Sequence, residues 1–314
     1  MSPQENLSLS IVFLLIFAVY GCAAWGLFRG VVEKLGIIEK ETLPLFIWLR
    51  RLMYGLALIG FVCFTYAYFI EPYWLEVRKI EIRSAKIPSN SQPIRIVHIS
   101  DIHSDGFARL EEDLPNKIAE QKPDLIVFSG DSLNSPDGLP VFRECLTKIS
   151  NIAPTFVVRG NWDVWYWSKQ DLFGGINVRQ LNGNVERVEV RGVPIWLTGV
   201  FVQSEDKLQE ALNSIPKNEF SIFVTHYPDL IEDVQKNEID LYCAGHTHGG
   251  QVAMPFYGAL VTFSKFGKKY EGGTYQVEKT TLNVNRGIGM EGGDTPRVRF
   301  LARPEITVID VLPN

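Results

Sequence analysis

Cysteine is scarce in this sequence. The 314 residues contain four cysteines, Cys22, Cys63, Cys145 and Cys243, and no two of them form a CxxC pair. This spacing does not favour a disulfide framework or a zinc site built from thiolates. The cysteine content leaves the redox compartment open.

An excess of positive charge is also missing. Lysine and arginine number 31 against 36 acidic residues, which gives a formal net charge of −5, and the chain has no basic stripe. A nucleic-acid partner is therefore not expected. The hydrophobic fraction of 46% is too high for a disordered protein, and the length suits one or two compact domains.

Charge is absent from two N-terminal runs, residues 6–28 and residues 52–70. Each is long enough to cross a bilayer, which takes about 20 residues. Glu5 is the only charge before Arg29, which disfavours a signal peptide, although a signal peptide or a buried core helix remains the alternative. We predict a membrane anchor over residues 1–75 with two transmembrane helices, at about residues 7–28 and 52–70.

After the anchor, the sequence changes to short apolar segments. Residues 76–92 predict a linker strand, and a globular domain is expected over residues 93–314. Short runs rich in Val, Ile and Phe are typical of strands buried on both faces. We predict strands within 94–100, 124–130, 155–160, 194–200, 220–226 and 240–246, and helices within 107–121, 138–150, 205–214 and 228–237. This alternation predicts a layered α/β domain with mixed sheets and outer helices.

Metal-binding residue types follow five of the predicted strands. In open α/β sheets, ligands bind beyond the carboxyl ends of the strands. Four of the five histidines in the chain lie at such ends. The candidate metal ligands are Asp101, His103, Asp131, Asn161, His226, His246 and His248.

This set of side chains has the chemistry of a divalent metal site. Carboxylate, imidazole and amide ligands without thiolate suit Mn²⁺, Fe²⁺ or Zn²⁺. Seven ligands exceed the need of one octahedral ion and are about right for two ions that share a carboxylate. Two ions about 3.5–4 Å apart can clamp the attacking and leaving oxygens of a phosphoryl transfer. Glycines 130, 160, 245, 249 and 250 would permit close backbone approach to the ions.

The motifs DIH, GD, GNWD, THYP and GHTH occur in this order and resemble the signature blocks of calcineurin-like metallophosphoesterases. The resemblance covers roughly residues 93–312. It implies an α/β fold, a four-layer α/β-β/α metallophosphoesterase sandwich, here preceded by two transmembrane helices. It also implies two divalent metal ions, with Mn²⁺ favoured over Fe²⁺ or Zn²⁺.

Carried over by position, the resemblance divides the ligands between the two ions. Asp101, His103, Asp131 and His248 would hold one ion, and the bridging Asp131 with Asn161, His226 and His246 would hold the other. Asp131, Asn161 and His226 are accordingly the candidate catalytic residues.

Trp162 departs from the family pattern, which usually has a histidine at this position that is thought to assist the leaving group. An alkoxide leaving group needs an acid, whereas a phosphate, with a second pKa near ~6, does not. The tryptophan therefore favours pyrophosphate cleavage, or a catalyst that uses another group. The stretch WDVWYW (162–167) could form a hydrophobic lip, which makes Trp162 a candidate substrate-binding residue. The alternative is the start of a helix packed on the core. Arg286 is a candidate phosphate ligand, with a surface ion pair as the alternative.

The N-terminal helices, EPYWLEVRKIEI and the block NVNRGIG…PRVRFLARPEITVI resemble membrane-associated bacterial members of the family. Some of these hydrolyse UDP-2,3-diacylglucosamine in lipid A synthesis. We therefore expect a membrane-anchored phosphoesterase whose partners are the lipid bilayer and a phosphorylated lipid or nucleotide-lipid substrate. The alternatives are a general phosphodiesterase or phosphatase of envelope lipids, and a catalytically dead, membrane-tethered binding scaffold.

The expected location is the cell (inner) membrane. Two crossings place both ends of the chain on one side, but basic residues are nearly balanced between the linker 29–51 and the residues after the second run. The side that the catalytic domain faces stays open, and it would be cytoplasmic if the substrate is a UDP-lipid.

Overall fold

A computed structural model describes residues 2–292 and 297–314 of the chain. The helices are α1 (Pro3–Lys34), α2 (Pro44–Phe69), α3 (Leu114–Glu120), α4 (Leu139–Ser150), α5 (Asn161–Trp165), α6 (Leu208–Asn213) and α7 (Ile231–Val234). The strands are β1 (Glu76–Ser84), β2 (Ile94–Ile99), β3 (Leu125–Phe128), β4 (Thr155–Val157), β5 (Val178–Gln180), β6 (Val185–Val190), β7 (Val193–Gly199), β8 (Phe220–Val224), β9 (Leu241–Ala244), β10 (Ala253–Met254), β11 (Gly258–Ala259), β12 (Gly273–Val277), β13 (Thr280–Val284) and β14 (Glu305–Pro313).

Helices α1 and α2 form an antiparallel hairpin. The Tyr20 hydroxyl donates a hydrogen bond to the carbonyl of Ala57 (3.1 Å), and a Cβ at Gly60 would lie 2.7 Å from that hydroxyl oxygen, so the helices touch closely here. Both helices are longer than the predicted 7–28 and 52–70, because prolines in their first turns start them earlier. Each is long and apolar enough to cross a membrane, and only 6% of each apolar window is buried.

Two six-stranded sheets follow the hairpin. The first has the order β1-β14-β2-β3-β4-β5 and the second the order β12-β13-β9-β8-β7-β6, while β10 and β11 pair separately. Of the linker strand predicted over residues 76–92, only Glu76–Ser84 form a strand, β1, which pairs in parallel with β14. This segment is therefore an edge strand of the first sheet. The domain division at residues 75 and 92 stays a prediction.

Three apolar clusters stack the elements into four layers. The central cluster lies between the sheets and joins Ile96 and Val127 of the first to Leu197 and Ile222 of the second. On the outer face of the first sheet, Val97, Ile99, Ile126 and Phe128 pack with residues of α3 and α4. On the outer face of the second, Phe223 and Tyr242 pack with residues of α6 and α7. The predicted sandwich, with helices outside two mixed sheets, is confirmed.

The predicted helix over residues 107–121 is shorter than expected. Helix α3 begins only at Leu114, with Pro115 in its first turn, a position that proline favours. Before it, the Glu111 carboxylate accepts hydrogen bonds from the backbone N–H groups of Arg109 (2.7 Å) and Leu110 (3.0 Å) and holds them in a turn. The apolar spacing of this stretch thus reflects burial of a turn and a short helix.

Candidate metal centre

The predicted ligands converge where the carboxyl ends of the two sheets meet. Asp101 and His103 follow β2, Asp131 follows β3, and Asn161 begins α5 directly beyond β4. From the second sheet, His226 follows β8, and His246 and His248 follow β9. Residues nearly 150 positions apart in the chain therefore share one buried site, because parallel strands end at the same edge.

Two tight groups of ligand atoms lie within this site. Asp101, His103 and His248 form one, and Asp101, Asp131 and His226 form the other, with all ligand atoms of a group within 4.8 Å of one another. Oδ1 of Asp101 lies 3.2 Å from Nε2 of His248, and Oδ2 of Asp131 lies 3.1 Å from Nε2 of His226 and 3.6 Å from Nε2 of His103. The two groups share Asp101, and each could hold one cation.

Asn161 and His246 lie beside these groups. The Asn161 side chain is buried, and its Oδ1 has no hydrogen-bond partner among the described residues. The His246 ring packs edge-on against Tyr227 (centroids 4.3 Å apart) and lies 5.1 Å from the His226 ring. Its backbone N–H donates to Asp101 at 3.1 Å. The structure thus brings all seven predicted ligands to one place, although His246 lies outside the two tightest groups.

Buried polar atoms without partners test whether the residues fit metal ions. Within the described part of the chain, Nδ1 and Nε2 of His103 and Nε2 of His226 and His248 are buried without a hydrogen bond. Leaving such atoms unsatisfied costs about 1–3 kcal/mol each. Nδ1–H of His226 donates to the Ser129 carbonyl (2.9 Å), which leaves Nε2 facing the carboxylates, where it could bind a proton or a metal ion. The donor set fits cations.

Burial and charge tune the protonation of these ligands. Burial raises the pKa of Asp131 to about 6 and lowers the pKa of His246 to about 3. Burial disfavours the charged form of His226 as well, but the Asp131 and Asp101 carboxylates outweigh it and raise the pKa of this histidine to about 10. Protons and metal ions thus compete for the same nitrogens and oxygens, as is usual for metal ligands.

The backbone at the site is strained. Asp101, His103, Asp131, His246 and His248 have φ values of 49°, 43°, 59°, 72° and 52°, in the left-handed region that non-glycine residues rarely adopt. Such conformations cost about 1–3 kcal/mol each and cluster at functional sites. Five of the seven ligands therefore point inward from backbone geometry that the surrounding fold must enforce.

Glycines make this geometry sterically possible. Gly130 has a φ of 101°, and a Cβ there would overlap the backbone of Gly160. A Cβ at Gly160 would in turn overlap Asp131, and one at Gly245 would overlap Ser100 and Asp101. The close approach expected of these three glycines is thus present, at Gly160 and Gly245 directly against a ligand and at Gly130 against the backbone of Gly160.

Asp163 positions the loops that carry Asp131 and Asn161. Its buried carboxylate accepts hydrogen bonds from the backbone N–H groups of Gly160 (3.0 Å), Asp131 (3.0 Å) and Ser132 (2.8 Å). One side chain therefore ties the ends of β3 and β4 together and caps α5. Asp163 therefore acts both as a helix cap and as the support of a neighbouring ligand.

The two candidate substrate-binding residues lie in different surroundings. The Trp162 ring packs edge-on against the His103 ring (centroids 5.2 Å apart), and its backbone N–H donates to Asp131 at 2.8 Å. Trp162 therefore borders the metal ligands. The Arg286 guanidinium donates instead to Glu305 and Glu76, both at 2.6 Å. The structure does not bring this guanidinium to the ligand cluster, and a phosphate-binding role for it stays a prediction.

Other residues support the site without a clear sequence signal. Arg299 is fully buried, donates to the carbonyls of Gly289 and Ala302, and lies 3.3 Å from Nδ1 of His248. A Cβ at Gly287 would lie 2.6 Å from Cβ of Asp101. For Gly287 the motif NRGIG offers only a weak signal, namely that its glycines follow β13, which pairs with β9. The burial of Arg299 carried none, since arginines are usually exposed.

A cleft of about 180 Å³ opens beside the ligands. Its walls include His246, His248, Gln251, Phe263 and Glu291. The Phe263 ring lies 6.5 Å from the His246 ring and is half exposed, so one wall is both apolar and open to the outside. The arrangement admits a polar phosphate beside the histidines and an apolar group beside Phe263.

Comparisons with known proteins agree with this geometry. Residues 94–250 match the family model of the calcineurin-like phosphoesterases, a range that contains all seven predicted ligands. The chain is similar to the uncharacterized metallophosphoesterase YkuE of Bacillus subtilis, with 33% identity over 234 residues, 70% of this chain and 80% of YkuE. It is also similar to the phosphodiesterase YaeI of Escherichia coli, with 30% identity over 240 residues, 71% of this chain and 84% of YaeI.

Proposed function

The chain belongs to the calcineurin-like phosphoesterase family and is a metal-dependent phosphoester hydrolase, and from this premise we propose that it cleaves a lipid-linked phosphoanhydride or phosphodiester at a membrane. One observation carries the proposal. The metal-ligand cleft, with its apolar wall at Phe263, belongs to a domain joined directly to two long apolar helices whose surfaces are almost wholly exposed. Exposed helices of this length and hydropathy are suited to lipid rather than to water.

Different residues of the chain would bind the two metal ions that act on the phosphoryl group. Asp101, His103, Asp131 and His248 would hold one divalent ion, and Asp131 with Asn161, His226 and His246 would hold the other, with Mn²⁺ the proposed metal. When bound, such ions supply Lewis acidity that stabilises charge on the phosphoryl oxygens. The hydrogen bond from Nδ1–H of His226 to the Ser129 carbonyl orients this imidazole before substrate arrives.

Trp162 favours a leaving group that departs without a proton. Its indole lies against His103, and the family resemblance implies at this position a histidine that would protonate an alkoxide. An indole N–H donates a hydrogen bond but does not release a proton to a leaving group. A phosphate leaving group needs no such help, which supports a phosphoanhydride substrate such as UDP-2,3-diacylglucosamine.

The test uses purified full-length protein in detergent with Mn²⁺. We expect it to release UMP from UDP-2,3-diacylglucosamine and to cleave bis-p-nitrophenyl phosphate. Turnover of lipid phosphodiesters without any UMP would reject the nucleotide-lipid substrate. That outcome would support the second candidate, a general phosphodiesterase, which the similarity to phosphodiesterase YaeI favours.

Replacing Trp162 with histidine should widen the choice of leaving group. A correctly placed general acid contributes about 10²–10⁴-fold, so we expect Trp162→His to raise kcat for an alkyl phosphodiester by about tenfold or more. The same variant should gain little with bis-p-nitrophenyl phosphate, because p-nitrophenolate departs without protonation. Steady-state kinetics on both substrates measure the difference.

Trp165→His is the matched control for this variant. Trp165 lies in the same short helix and is half exposed. We expect Trp165→His to leave the ratio of kcat for the alkyl phosphodiester to kcat for bis-p-nitrophenyl phosphate unchanged. An equal ratio in the wild type and Trp162→His would show that Trp162 does not determine the leaving group.

A further inference from the structure

The segment Met254–Phe263 carries apolar side chains that the fold leaves in the open. Phe256 is fully exposed, and Met254, Tyr257 and Phe263 are exposed by 37%, 42% and 51%. Phe256 and Phe263 also have positive φ values of 65° and 54°. Bulky residues rarely adopt this conformation, so the exposed aromatics are held outward against a local cost.

The first turns of α1 fix this segment beside the start of a candidate membrane helix. The Glu5 carboxylate accepts hydrogen bonds from the backbone N–H (2.8 Å) and the hydroxyl (3.0 Å) of Thr262. The Ser8 hydroxyl lies 3.2 Å from that of Tyr257. Ser8 already belongs to the charge-free run of α1. If α1 enters a bilayer, Tyr257 therefore lies at the level of the bilayer surface.

The end of α2 fixes a second segment at the same level. The backbone N–H of Arg299 donates to the Ala67 carbonyl (3.0 Å), and the Phe300 ring packs on Tyr66. Leu301, half exposed, follows with a φ of 54°. The two segments are joined to each other, since the N–H of Ala253 donates to the Phe300 carbonyl at 2.8 Å. The beginning of α1 and the end of α2 thus both contact one continuous apolar surface.

This surface borders the metal-ligand cleft. Val261 and Phe263 belong to the segment and also line the cleft beside His246 and His248. A phosphate in the cleft would lie next to side chains at the bilayer surface. Lys265 and Lys268 follow the segment, and lysines are common at membrane interfaces. Lys265 also pairs with Glu232, and Lys268 with Glu271.

We propose that the surface formed by Met254, Phe256, Tyr257, Phe263 and Leu301 inserts into the bilayer interface and feeds lipid substrates into the cleft from the membrane. The acyl chains stay in the bilayer while the phosphate reaches the metal ligands. Aromatic side chains with an apolar body are the usual anchors at this depth. This inference rests on the proposed function, because it assumes that α1 and α2 span the membrane.

The test compares two substrates with the same reacting group. Full-length protein is reconstituted in phosphatidylcholine vesicles with Mn²⁺ and given either soluble bis-p-nitrophenyl phosphate or a dioleoylglycerol p-nitrophenyl phosphodiester embedded in the vesicle. We expect Phe256→Asp to lower hydrolysis of the embedded diester about tenfold or more and to change hydrolysis of the soluble diester less than twofold. Phe107→Asp is the matched control, because Phe107 is also exposed (68%) but belongs to the loop before α3.

The kinetic outcomes distinguish failure of this inference from failure of the proposed function. An unchanged rate on the embedded diester, or an equal fall on both substrates, would overturn the inference. A wild-type protein that cleaves neither diester would instead reject the proposed function, and a second measurement then tests the surface alone. A nitrobenzoxadiazole dye at Phe256→Cys, in a chain with Cys22→Ser and Cys63→Ser, should shift its emission to the blue in vesicles and be quenched by brominated lipids.

The same dye at Glu144→Cys, on the exposed face of α4, is the control and should show neither effect. No blue shift at position 256 would overturn the inference. A blue shift that grows with protein concentration in detergent would assign the surface to a second copy of this chain, and would overturn it as well.

Discussion

Replacing Asp131 with asparagine is expected to lower hydrolysis of bis-p-nitrophenyl phosphate about 10³-fold, the scale of losing one strongly stabilising active-site group. The substitution keeps the size of the side chain. An asparagine oxygen can still accept the hydrogen bond from the Trp162 N–H, so the loop should keep its shape. What is lost is the negative charge that lies 3.1 Å from His226 and 3.6 Å from His103. Initial rates at saturating Mn²⁺ measure the effect.

Asp310→Asn serves as the control for this variant. Asp310 is also paired with a cationic side chain, Arg95, at 2.7 Å, but it lies in β14 within the first sheet. We expect its activity to stay within about twofold of the wild type, while removal of the partly exposed pair changes stability by about 0–1 kcal/mol. Comparable rates in the wild type and Asp131→Asn would contradict the assignment of Asp131 to the reaction.

Gly245→Ala should damage the site through geometry alone. A Cβ at this position would overlap Ser100 and a carboxylate oxygen of Asp101, and neither can retreat easily because both are fully buried. Overpacking of this kind costs about 1–3 kcal/mol of stability. A displacement of about 1 Å can also cost about 10²-fold in rate, so we expect loss of both activity and thermal stability. Thermal unfolding and initial rates measure the two effects.

Gly55→Ala is the matched control. Gly55 lies in α2, and a Cβ there would meet nothing within 4 Å. Alanine is also the better helix former, by about 1 kcal/mol. We expect this variant to fold and react as the wild type does. Full activity in Gly245→Ala would show that the close contact with Asp101 does not constrain the site.

The sequence was informative where chemistry and strand pattern coincide. Short apolar runs ending in Asp101, Asp131, Asn161 or His246 predict both a buried strand and a ligand beyond it, because parallel strands deliver their last residues to one edge. A layered α/β fold with mixed sheets and the convergence of the ligands follow from that pattern, whereas the four-layer sandwich is what the family resemblance implies. The family blocks add the pairing of His246 and His248 with different ions, which spacing alone does not give.

Features that depend on distant contacts were not accessible in this way. Arg299 lies in an irregular segment, and its burial follows from contacts with the Ala302 carbonyl and the end of α2. Glu71 is fully buried because its carboxylate accepts hydrogen bonds from the N–H groups of Leu301 and Ala302. Nothing local distinguishes these side chains from solvated charges. Likewise, the pairing of β1 with β14 joins segments more than 200 residues apart.

In the segment Met254–Phe263, the exposure of apolar side chains was likewise not predictable from the sequence. Its sequence, MPFYGALVTF, is almost entirely apolar, as buried segments often are. Only the structure shows that Phe256 and Phe263 point outward, beside the start of α1. Periodicity reports which residues are apolar but not what covers them. The aromatic stretch 162–167, in contrast, is predicted to form either a hydrophobic lip or a helix packed on the core, and in the structure Trp162 lies in α5 with its ring against His103.

The central claim is that the buried ligands around Asp101 and Asp131 hold two divalent ions, and metal content measures this most directly. Full-length protein purified with excess Mn²⁺ and then freed of unbound metal should retain about two ions per chain by plasma mass spectrometry. Asp131→Asn, which removes the carboxylate assigned to both ions, should retain one or none. A wild-type chain without bound metal, or an Asp131→Asn chain that keeps both ions, would contradict the account.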